Sequence, residues 1–330
     1  MARPQIAERG LHLALGGGAA RGLAHIGVLR ALHEHNIPIA SVCGTSMGAL
    51  VGSVYALNPD VEALFQTFHD FIHGEIYNRA RYSMLKNLSR QHQRDKNGLS
   101  QYLKKGVLLG RTLAFGSVVP FEAYFDEVKA LLPDKGFHQT SVPFSCVACD
   151  VRQMREVIFN RGSLRSAIMA SCAIPGVYPA IRTDHATYVD GSWVNVLPVR
   201  PLMDQGRTPV LGISLGLNAL PTASENGLST LINAFSASYN RLQELQIEAA
   251  PLILTPEVQD LHWADFQQLE VAVERGYACA KNQLSDIQAL LYEKPKRWWE
   301  GWVERRQTAP AKPYKIPAEY RAIWEIEQEP

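Results

Sequence analysis

Hydrophobic positions near the start of the chain alternate between the periods of strands and helices. Leu11–Leu15 is a short apolar run that ends in three glycines, which is typical of a buried parallel strand. Residues 20–35 are mostly apolar with small side chains and predict a helix that packs closely on a sheet. Residues 39–43 predict a second strand, and Met47–Leu57 a second helix. This order predicts a βαβα unit with parallel strands.

The same alternation continues to about residue 292. The pattern predicts helices over residues 61–72, 121–132, 163–171, 225–249 and 266–291. It predicts strands over residues 143–149, 155–159, 185–189, 209–215 and 252–254. We therefore expect a single α/β domain over residues 11–292, built as three α/β/α layers around a mostly parallel central sheet.

Residues 77–111 differ in charge from the rest of this domain. They contain nine Lys and Arg residues against one acidic residue, Asp95, with tyrosines and leucines between them. A solvated helical insertion explains this composition. A surface that docks on anionic lipid headgroups explains it too, since such headgroups attract basic residues by about 1 kcal/mol each. No nucleic-acid reader motif accompanies the charge, so nucleic acid is not an expected partner.

The segment 293–330 is a basic, Trp- and Pro-rich tail. Seven Lys and Arg residues and three prolines fall within residues 294–315. Trp298, Trp299 and Trp302 would share one face of a helix. That face fits either an anchor at a membrane interface or packing back onto the domain.

The overall composition is that of an ordinary folded protein. The 330 residues are 46% hydrophobic and 20% charged, with a net charge of +1 that predicts no global attraction to nucleic acid or membranes. The five cysteines are scattered, and Cys146 and Cys149 lie in an apolar run rather than at a helix start. With no signal-peptide core and no apolar run of membrane-spanning length, we expect a cytoplasmic protein, peripheral at the inner membrane face if its basic segments dock.

Residues 44–48 carry the strongest chemical signal. They form the pattern G-x-S-x-G, which places Ser46 on a sharp turn from a strand into a helix. Gly44 and Gly48 leave room for the tight turn and for a substrate beside the serine. At a helix N-terminus, the N–H groups and the helix dipole favour a developing negative charge. We therefore interpret Ser46 as a nucleophile.

A serine nucleophile needs hydrogen-bond donors for the oxyanion that forms during its reaction. The N–H of Met47, the residue after the nucleophile, is one candidate. Arg21 offers a cation for a phosphate, although a local ion pair with a carboxylate also explains it. The loop between the first strand and the first helix supplies the other candidates, Gly16, Gly17, Gly18 and Ala19.

The proton acceptor for Ser46 is harder to identify. Histidine is the usual base, but none of the ten histidines stands just after a strand beside a glycine. His25 falls inside the first helix, and His185 falls at a solvated strand start. Asp190 ends a strand before Gly191, which aims its carboxylate over the same sheet edge as Ser46. A turn-capping role also fits Asp190, and as a base it would need a raised pKa.

Three motifs occur in a fixed order: Gly-Gly-Gly-Ala-Ala-Arg-Gly at residues 16–22, Gly-Thr-Ser-Met-Gly at residues 44–48, and Asp190-Gly191. Together with residues 170–180, they resemble the patatin-like phospholipases, especially bacterial cytoplasmic members related to neuropathy target esterase. The resemblance covers residues 11–202. It implies a patatin-like fold and a Ser–Asp dyad without histidine, in which Ser46 is the nucleophile and Asp190 the proton acceptor and donor.

The resemblance also implies a reaction. The expected reaction is hydrolysis of a carboxylic ester in a phospholipid, lysophospholipid or related lipid, through an acyl-enzyme. The loop over residues 16–19 and Arg21 would form the oxyanion hole, with Gly22 and Gly191 as further motif glycines. No metal or cofactor is implied, and the implied partner is a lipid or other acyl ester.

Two positions depart from the family motifs. Ala19 stands where a glycine is common, and Ser192 follows Asp190-Gly191 where the family usually has glycine or alanine. Neither change removes a reacting group.

Three other functions compete with this interpretation. A dinucleotide-binding enzyme would need an acidic residue at the end of the second strand, which here ends in Val42-Cys43-Gly44. An acyltransferase with a Gly-His-Ser motif would need a histidine where Thr45 stands. A catalytically silent lipid-binding or adaptor protein could keep the fold, although an intact Ser46 and Asp190 argue against it.

Overall fold

The computed structural model describes residues 10–78, 117–216 and 227–292. Its α-helices are α1 Ala24–Glu34, α2 Met47–Leu57, α3 Val61–His73, α4 Phe121–Leu131, α5 Leu164–Ser171, α6 Val199–Met203, α7 Gly227–Glu248, α8 Leu269–Asn282 and α9 Leu284–Tyr292. Its strands are β1 Leu11–Leu15, β2 Ile39–Thr45, β3 Phe144–Asp150, β4 Arg155–Phe159, β5 Ile181–Arg182, β6 Thr187–Asp190, β7 Val210–Ile213 and β8 Leu252–Leu254. Within these ranges, no helix has the length and apolarity to cross a bilayer.

All the described elements belong to one compact unit that ends at Tyr292. The basic insertion predicted over residues 77–111, apart from residues 77 and 78, lies outside the described residues, and so does the tail over residues 293–330.

The eight strands form one mixed sheet. β3, β2, β1, β7 and β8 are parallel neighbours in that order, which confirms the predicted parallel unit. β4 and β6 both pair antiparallel with β3, and β5 pairs antiparallel with β6. The sheet therefore has a parallel half, from β2 to β8, and an antiparallel half made by β4, β5 and β6, with β3 between them.

β3 brings the ends of β2 and β6 together. β4 takes one edge of β3 over residues 146–150. The other edge is shared, because β2 pairs with residues 144–147 and β6 with residues 148–150. β2 runs parallel to β3 and β6 runs antiparallel, so their C-terminal ends face each other along this edge. Thr45 lies opposite Val147, and Asp190 lies opposite Ala148.

The central strands are buried on both faces, which explains why their sequences lack a polar alternation. On one face, Leu13 and Val42 join the main hydrophobic core beneath α1, α2 and α8. On the other face, Ala14, Cys43 and Val147 join a smaller cluster closed by α6 and by the C-terminal half of α7. These two apolar layers, one on each side of the sheet, confirm the predicted three-layer α/β/α architecture.

Several predicted boundaries are wrong for local reasons. The helix predicted over residues 266–291 is a 3-10 turn followed by α8 and α9, because the backbone of Gln283 leaves helical geometry. The strand predicted over residues 185–189 begins only at Thr187, since the preceding residues turn back through hydrogen bonds between Thr183 and Ala186. β5 was not predicted, because two residues are too short for a pattern.

Candidate active site

Ser46 lies at the turn between β2 and α2. Its φ of 54° and ψ of −123° are rare for a residue with a side chain, and such strain is typical of a nucleophile elbow. The Ser46 N–H donates to Ser171 Oγ at 3.0 Å, and the Ser171 hydroxyl donates to the Val147 carbonyl at 2.6 Å. Ser171, at the end of α5, therefore ties the elbow to β3, and sequence analysis had given it no role.

Asp190 ends β6 directly beside Ser46. The Ser46 hydroxyl donates to Asp190 Oδ2 at 2.6 Å, and both side chains are buried. The other carboxylate oxygen, Oδ1, accepts the Ser192 N–H at 2.8 Å. The Asp190 N–H donates to the Ala173 carbonyl at 2.9 Å, which fixes the backbone of this strand end. The structure therefore brings together the two residues that the sequence singled out for the dyad.

Burial makes Asp190 more basic than an ordinary carboxylate. Loss of solvent raises its pKa above the usual value, while hydrogen bonds from the Ser46 hydroxyl and from the backbone and side chain of Ser192 act in the opposite direction. A carboxylate with a raised pKa is a better acceptor for a serine proton. Among the described residues, no histidine hydrogen-bonds to Ser46 or Asp190.

Two N–H groups of the glycine-rich loop already donate to backbone carbonyls. The Gly16 N–H donates to the Ile213 carbonyl at 3.0 Å, and the Gly17 N–H donates to the Val196 carbonyl at 2.9 Å. These two groups are therefore already bonded, and they could act as the predicted oxyanion donors only by giving up these hydrogen bonds. Gly18 and Ala19 line the cleft, and their N–H groups have no acceptor among the described residues.

The N–H of Met47 also has no acceptor within the described part of the chain, and it lies at the start of α2. The candidate donors are therefore the N–H groups of Gly18, Ala19 and Met47. Ala19 has a φ of 50°, a left-handed conformation that a glycine would adopt more readily. The departure from the family motif is therefore accommodated with some backbone strain.

Arg21 lines the cleft while its guanidinium holds a neighbouring segment. Nε donates to the Leu261 carbonyl at 2.9 Å, and one terminal nitrogen donates to the Gln259 carbonyl at 2.9 Å. The N–H of the preceding residue, Ala20, donates to the Trp263 carbonyl at 2.9 Å. These contacts fasten residues 259–263 to the glycine-rich loop. Arg21 therefore has a structural role in addition to its predicted role at the oxyanion.

His25 is a supporting residue whose role the sequence did not reveal. It is fully buried in α1, and its Nε2 donates to the Gly16 carbonyl at 2.8 Å. Burial lowers the pKa of His25 to about 4, against a smaller opposite effect of the Gly16 hydrogen bond, so the ring is neutral at pH 7. Gln246 of α7 holds the loop after β6, because its Oε1 accepts hydrogen bonds from the N–H groups of Val196 and Leu197.

The motif glycines lie where the backbone or a side chain comes too close for a Cβ. A Cβ on Gly17 would overlap Ser192 Oγ and contact Ser46, and a Cβ on Gly191 would overlap the Val147 carbonyl. The other motif glycines are packed as tightly, against Met47 for Gly22, against α2 for Gly44 and against the β1 end for Gly48. The three motifs are therefore packed against one another around the dyad.

The dyad opens into a cleft of about 410 Å³, a volume typical of small-molecule sites. Beside Ser46 and Asp190, its lining is mostly apolar: Ile174, Trp193, Phe235, Tyr239 and Trp263. Within the described residues, no group of three or more His, Cys, Asp or Glu side chains could hold a metal ion.

The chain is similar in sequence to known proteins. A family model described as patatin-like phospholipase matches residues 13–203, more than half of the chain. An uncharacterised NTE family protein of Mycobacterium tuberculosis is 29% identical over 235 residues, which is 69% of this chain and 57% of that protein. A second such protein of this species is 30% identical over 307 residues, or 85% of this chain and 47% of that protein. The chain thus spans about half the length of these relatives.

Two solved structures are also similar. VipD from Legionella pneumophila matches with a TM-score of 0.44 and 16% identity, over 84% of this chain and 67% of VipD. The heterodimeric ExoU–SpcU complex from Pseudomonas aeruginosa gives a TM-score of 0.40 and 16% identity, over 91% of this chain and 60% of the matched chain. The family model spans both Ser46 and Asp190, and on that match the chain belongs to the patatin-like phospholipase family.

Proposed function

We propose that this protein is a serine esterase that hydrolyses carboxylic esters of phospholipids or lysophospholipids through an acyl-enzyme. Membership of the patatin-like phospholipase family supports a lipid hydrolase. The observation that carries the proposal is the hydrogen bond of 2.6 Å from the Ser46 hydroxyl to Asp190 Oδ2, inside a buried cleft. It joins a strained nucleophile elbow to a carboxylate whose pKa is raised by burial.

In the first half of the reaction, Asp190 accepts the proton of Ser46 while Oγ attacks the ester carbonyl. The negative charge that develops on the carbonyl oxygen is met by the N–H groups of Gly18, Ala19 and Met47. Asp190 then returns the proton to the leaving alcohol, which leaves the acyl group on Ser46. In the second half, Asp190 takes a proton from water, and the resulting attack releases the fatty acid and restores the Ser46 hydroxyl.

The mostly apolar lining of the cleft supports an acyl chain as the group that is bound. Its walls carry one isoleucine and four aromatic side chains, and its polar groups include the dyad, Arg21, Ser192 and Ser236. A mostly apolar cleft that contains a nucleophile favours a ligand that joins an ester to a hydrocarbon chain. This lining supports a lipid ester over a small polar one.

The reaction is tested with a mixed phospholipid extract and three proteins. Wild type should release fatty acid and the matching lysolipid or alcohol, and Ser46→Ala should release none. Ser53→Ala is the matched control. Ser53 is a buried serine like Ser46, but it lies within α2 and its hydroxyl donates to the Leu50 carbonyl instead of to Asp190. The control should keep near wild-type turnover. Equal release by wild type and Ser46→Ala would refute the proposal, and a folded wild type that binds lipid but releases nothing would favour the silent lipid-binding alternative.

A further inference from the structure

α7 consists of two halves with different chemistry. Residues 227–240 contain no charged side chain, whereas the remainder carries Arg241, Glu244 and Glu248. In the uncharged half, Leu231 is 51% exposed and Phe235 is 57% exposed. A helix surface with large apolar side chains and no charge is unusual on a protein that meets only water.

The charged half of α7 is fastened to the domain. Gln243 Nε2 donates to the Gly216 carbonyl at 3.0 Å, and Gln246 Oε1 accepts two backbone N–H groups of the loop after β6. On the outer surface, Arg241 forms an ion pair with Glu244 at 2.9 Å. This half therefore anchors the helix and faces solvent, while the uncharged half extends over the cleft, where Phe235, Ser236 and Tyr239 form part of the wall.

Two tryptophans extend the apolar surface around the mouth of the cleft. Trp193 is 50% exposed and packs edge-on against Tyr239, with ring centroids 6.5 Å apart. Trp263 is 40% exposed and lines the cleft next to the glycine-rich loop. Together with Phe235, these side chains form an aromatic rim around the entrance to Ser46. Tryptophan is the side chain most favoured at the boundary between water and lipid.

We propose that the aromatic rim and the uncharged half of α7 form the surface by which the protein docks on a lipid bilayer. This proposal rests on the proposed function, since a lipid ester is the substrate that the rim would admit. The surface is continuous with the cleft, so an acyl chain passes from the bilayer to Ser46 without crossing water. Because the surface has no charge over residues 227–240, docking through it needs no anionic headgroup, unlike docking through the basic residues 77–111.

The test compares two leucines of the same helix. Leu231→Glu places a charge on the proposed docking surface, whereas Leu245→Glu places the same charge on the half that already carries Arg241 and Glu244. The side chain of Leu245 is 46% exposed, a fraction close to the 51% of Leu231, and neither residue lines the cleft. Binding to phosphatidylcholine vesicles is measured by sedimentation, and turnover is measured on those vesicles and on a water-soluble short-chain ester.

We expect Leu231→Glu to weaken vesicle binding and vesicle turnover by about tenfold or more, the effect of losing one buried leucine side chain. Turnover of the soluble ester should stay at the wild-type level, and Leu245→Glu should match wild type in every assay. Wild-type binding to these neutral vesicles should not fall as salt is raised.

Four outcomes would overturn the docking surface. The first is that Leu231→Glu binds vesicles as well as wild type does, and the second is that Leu245→Glu loses as much vesicle binding as Leu231→Glu. The third is that wild type does not bind neutral vesicles. The fourth is that wild type is a dimer which Leu231→Glu dissociates without any change in vesicle binding. Failure of the proposed function looks different. In that case wild type would hydrolyse neither substrate but would still bind vesicles through Leu231. The docking surface would then be supported, and the esterase activity would be refuted.

Discussion

The two halves of the sheet supply the two members of the dyad in different ways. Ser46 comes from the parallel half, and its orientation is set locally, by the elbow between β2 and α2 and by flanking glycines. Asp190 comes from the antiparallel half, and its position depends on the register of β6 against β3. The nucleophile is therefore a property of a few consecutive residues, whereas its base is a property of the tertiary fold.

Asp190 also differs from Asp150, the buried aspartate at the end of β3, in the direction of its pKa shift. Burial tends to raise the pKa of Asp150 as well, but backbone hydrogen bonds from Thr187, Arg152 and Gln153 hold it below the usual value. The pKa of Asp190 is instead raised, and burial is the main cause. Two strand-end aspartates thus have opposite shifts, which suits one to structure and the other to proton transfer.

The largest expected effect is that of Asp190→Asn. Turnover should fall by about 10³-fold, since the amide cannot accept the Ser46 proton. Because the folded state raises the pKa of Asp190, folding favours the protonated carboxyl. In wild type, the free energy of unfolding therefore falls as pH rises from the unfolded-state pKa to the folded-state pKa of Asp190. The variant should therefore be at least as stable as wild type at pH 7, measured by thermal melting.

Asp150→Asn is the matched control for that experiment. Because its folded pKa is lowered, the Asp150 carboxylate stabilises the fold above its unfolded pKa, and this contribution is lost as pH falls through the folded pKa. The control should keep turnover and lose some stability at pH 7. Near wild-type turnover by Asp190→Asn would contradict the dyad, and a histidine would then have to serve as base.

A smaller but still large effect is expected from Gly191→Ala, which tests whether packing against β3 holds Asp190. The new Cβ would overlap the Val147 carbonyl, so the turn after β6 must move. We expect a loss of about 3 kcal/mol in the free energy of unfolding, together with a large loss of turnover. Gly227→Ala is the control, because a Cβ there meets no atom within 4 Å. Unchanged stability and turnover in Gly191→Ala would disprove the close contact.

Ser192→Ala tests how the antiparallel half sets the pKa of Asp190. The Ser192 side chain lowers that pKa through a hydrogen bond, so its removal should raise the pKa further. The acid limb of kcat/KM on an uncharged ester should then move to higher pH, because Asp190 must be ionised to act as base. Ser236→Ala, which changes another serine of the cleft, should leave the limb in place. A Ser192→Ala profile that overlays wild type would contradict this account.

The smallest expected effect is that of Ala19→Gly on the parallel side. Glycine relieves a left-handed strain of about 1 kcal/mol, and its greater freedom in the unfolded chain offsets much of that gain. Stability should change little, and turnover should stay within about threefold, because the donor that we assign is the backbone N–H and not the side chain. A loss of turnover of about 10²-fold or more would show that the alanine side chain matters.

The same contrast explains how much of the site could be predicted from the sequence. The helix Met47–Leu57 has the predicted bounds, and Ser46 precedes it as expected, because glycines and apolar periodicity act within a few residues. Asp190 could be assigned as the base only through the family motif, since on spacing alone a turn-capping role was the favoured interpretation. It does cap the following 3-10 turn, through the Ser192 N–H, as well as accepting the Ser46 hydroxyl.

Other features depend on contacts that no local pattern encodes. The N–H groups of Gly16 and Gly17 donate to carbonyls that lie about 180 to 200 residues away in the chain. Likewise, nothing around His25 indicates that its ring would be buried under the Gly16 carbonyl. Ser171 falls within the segment that matched the family, so its position was indicated but its bond to the elbow was not.

The most direct test of the Ser46–Asp190 dyad is labelling with a fluorophosphonate, followed by peptide mass spectrometry. We predict a single phosphonyl adduct on Ser46 in wild type, no adduct in Ser46→Ala, and labelling slowed by about 10²-fold or more in Asp190→Asn. Labelling of another residue in wild type, or an Asp190→Asn protein that labels at the wild-type rate, would contradict the dyad.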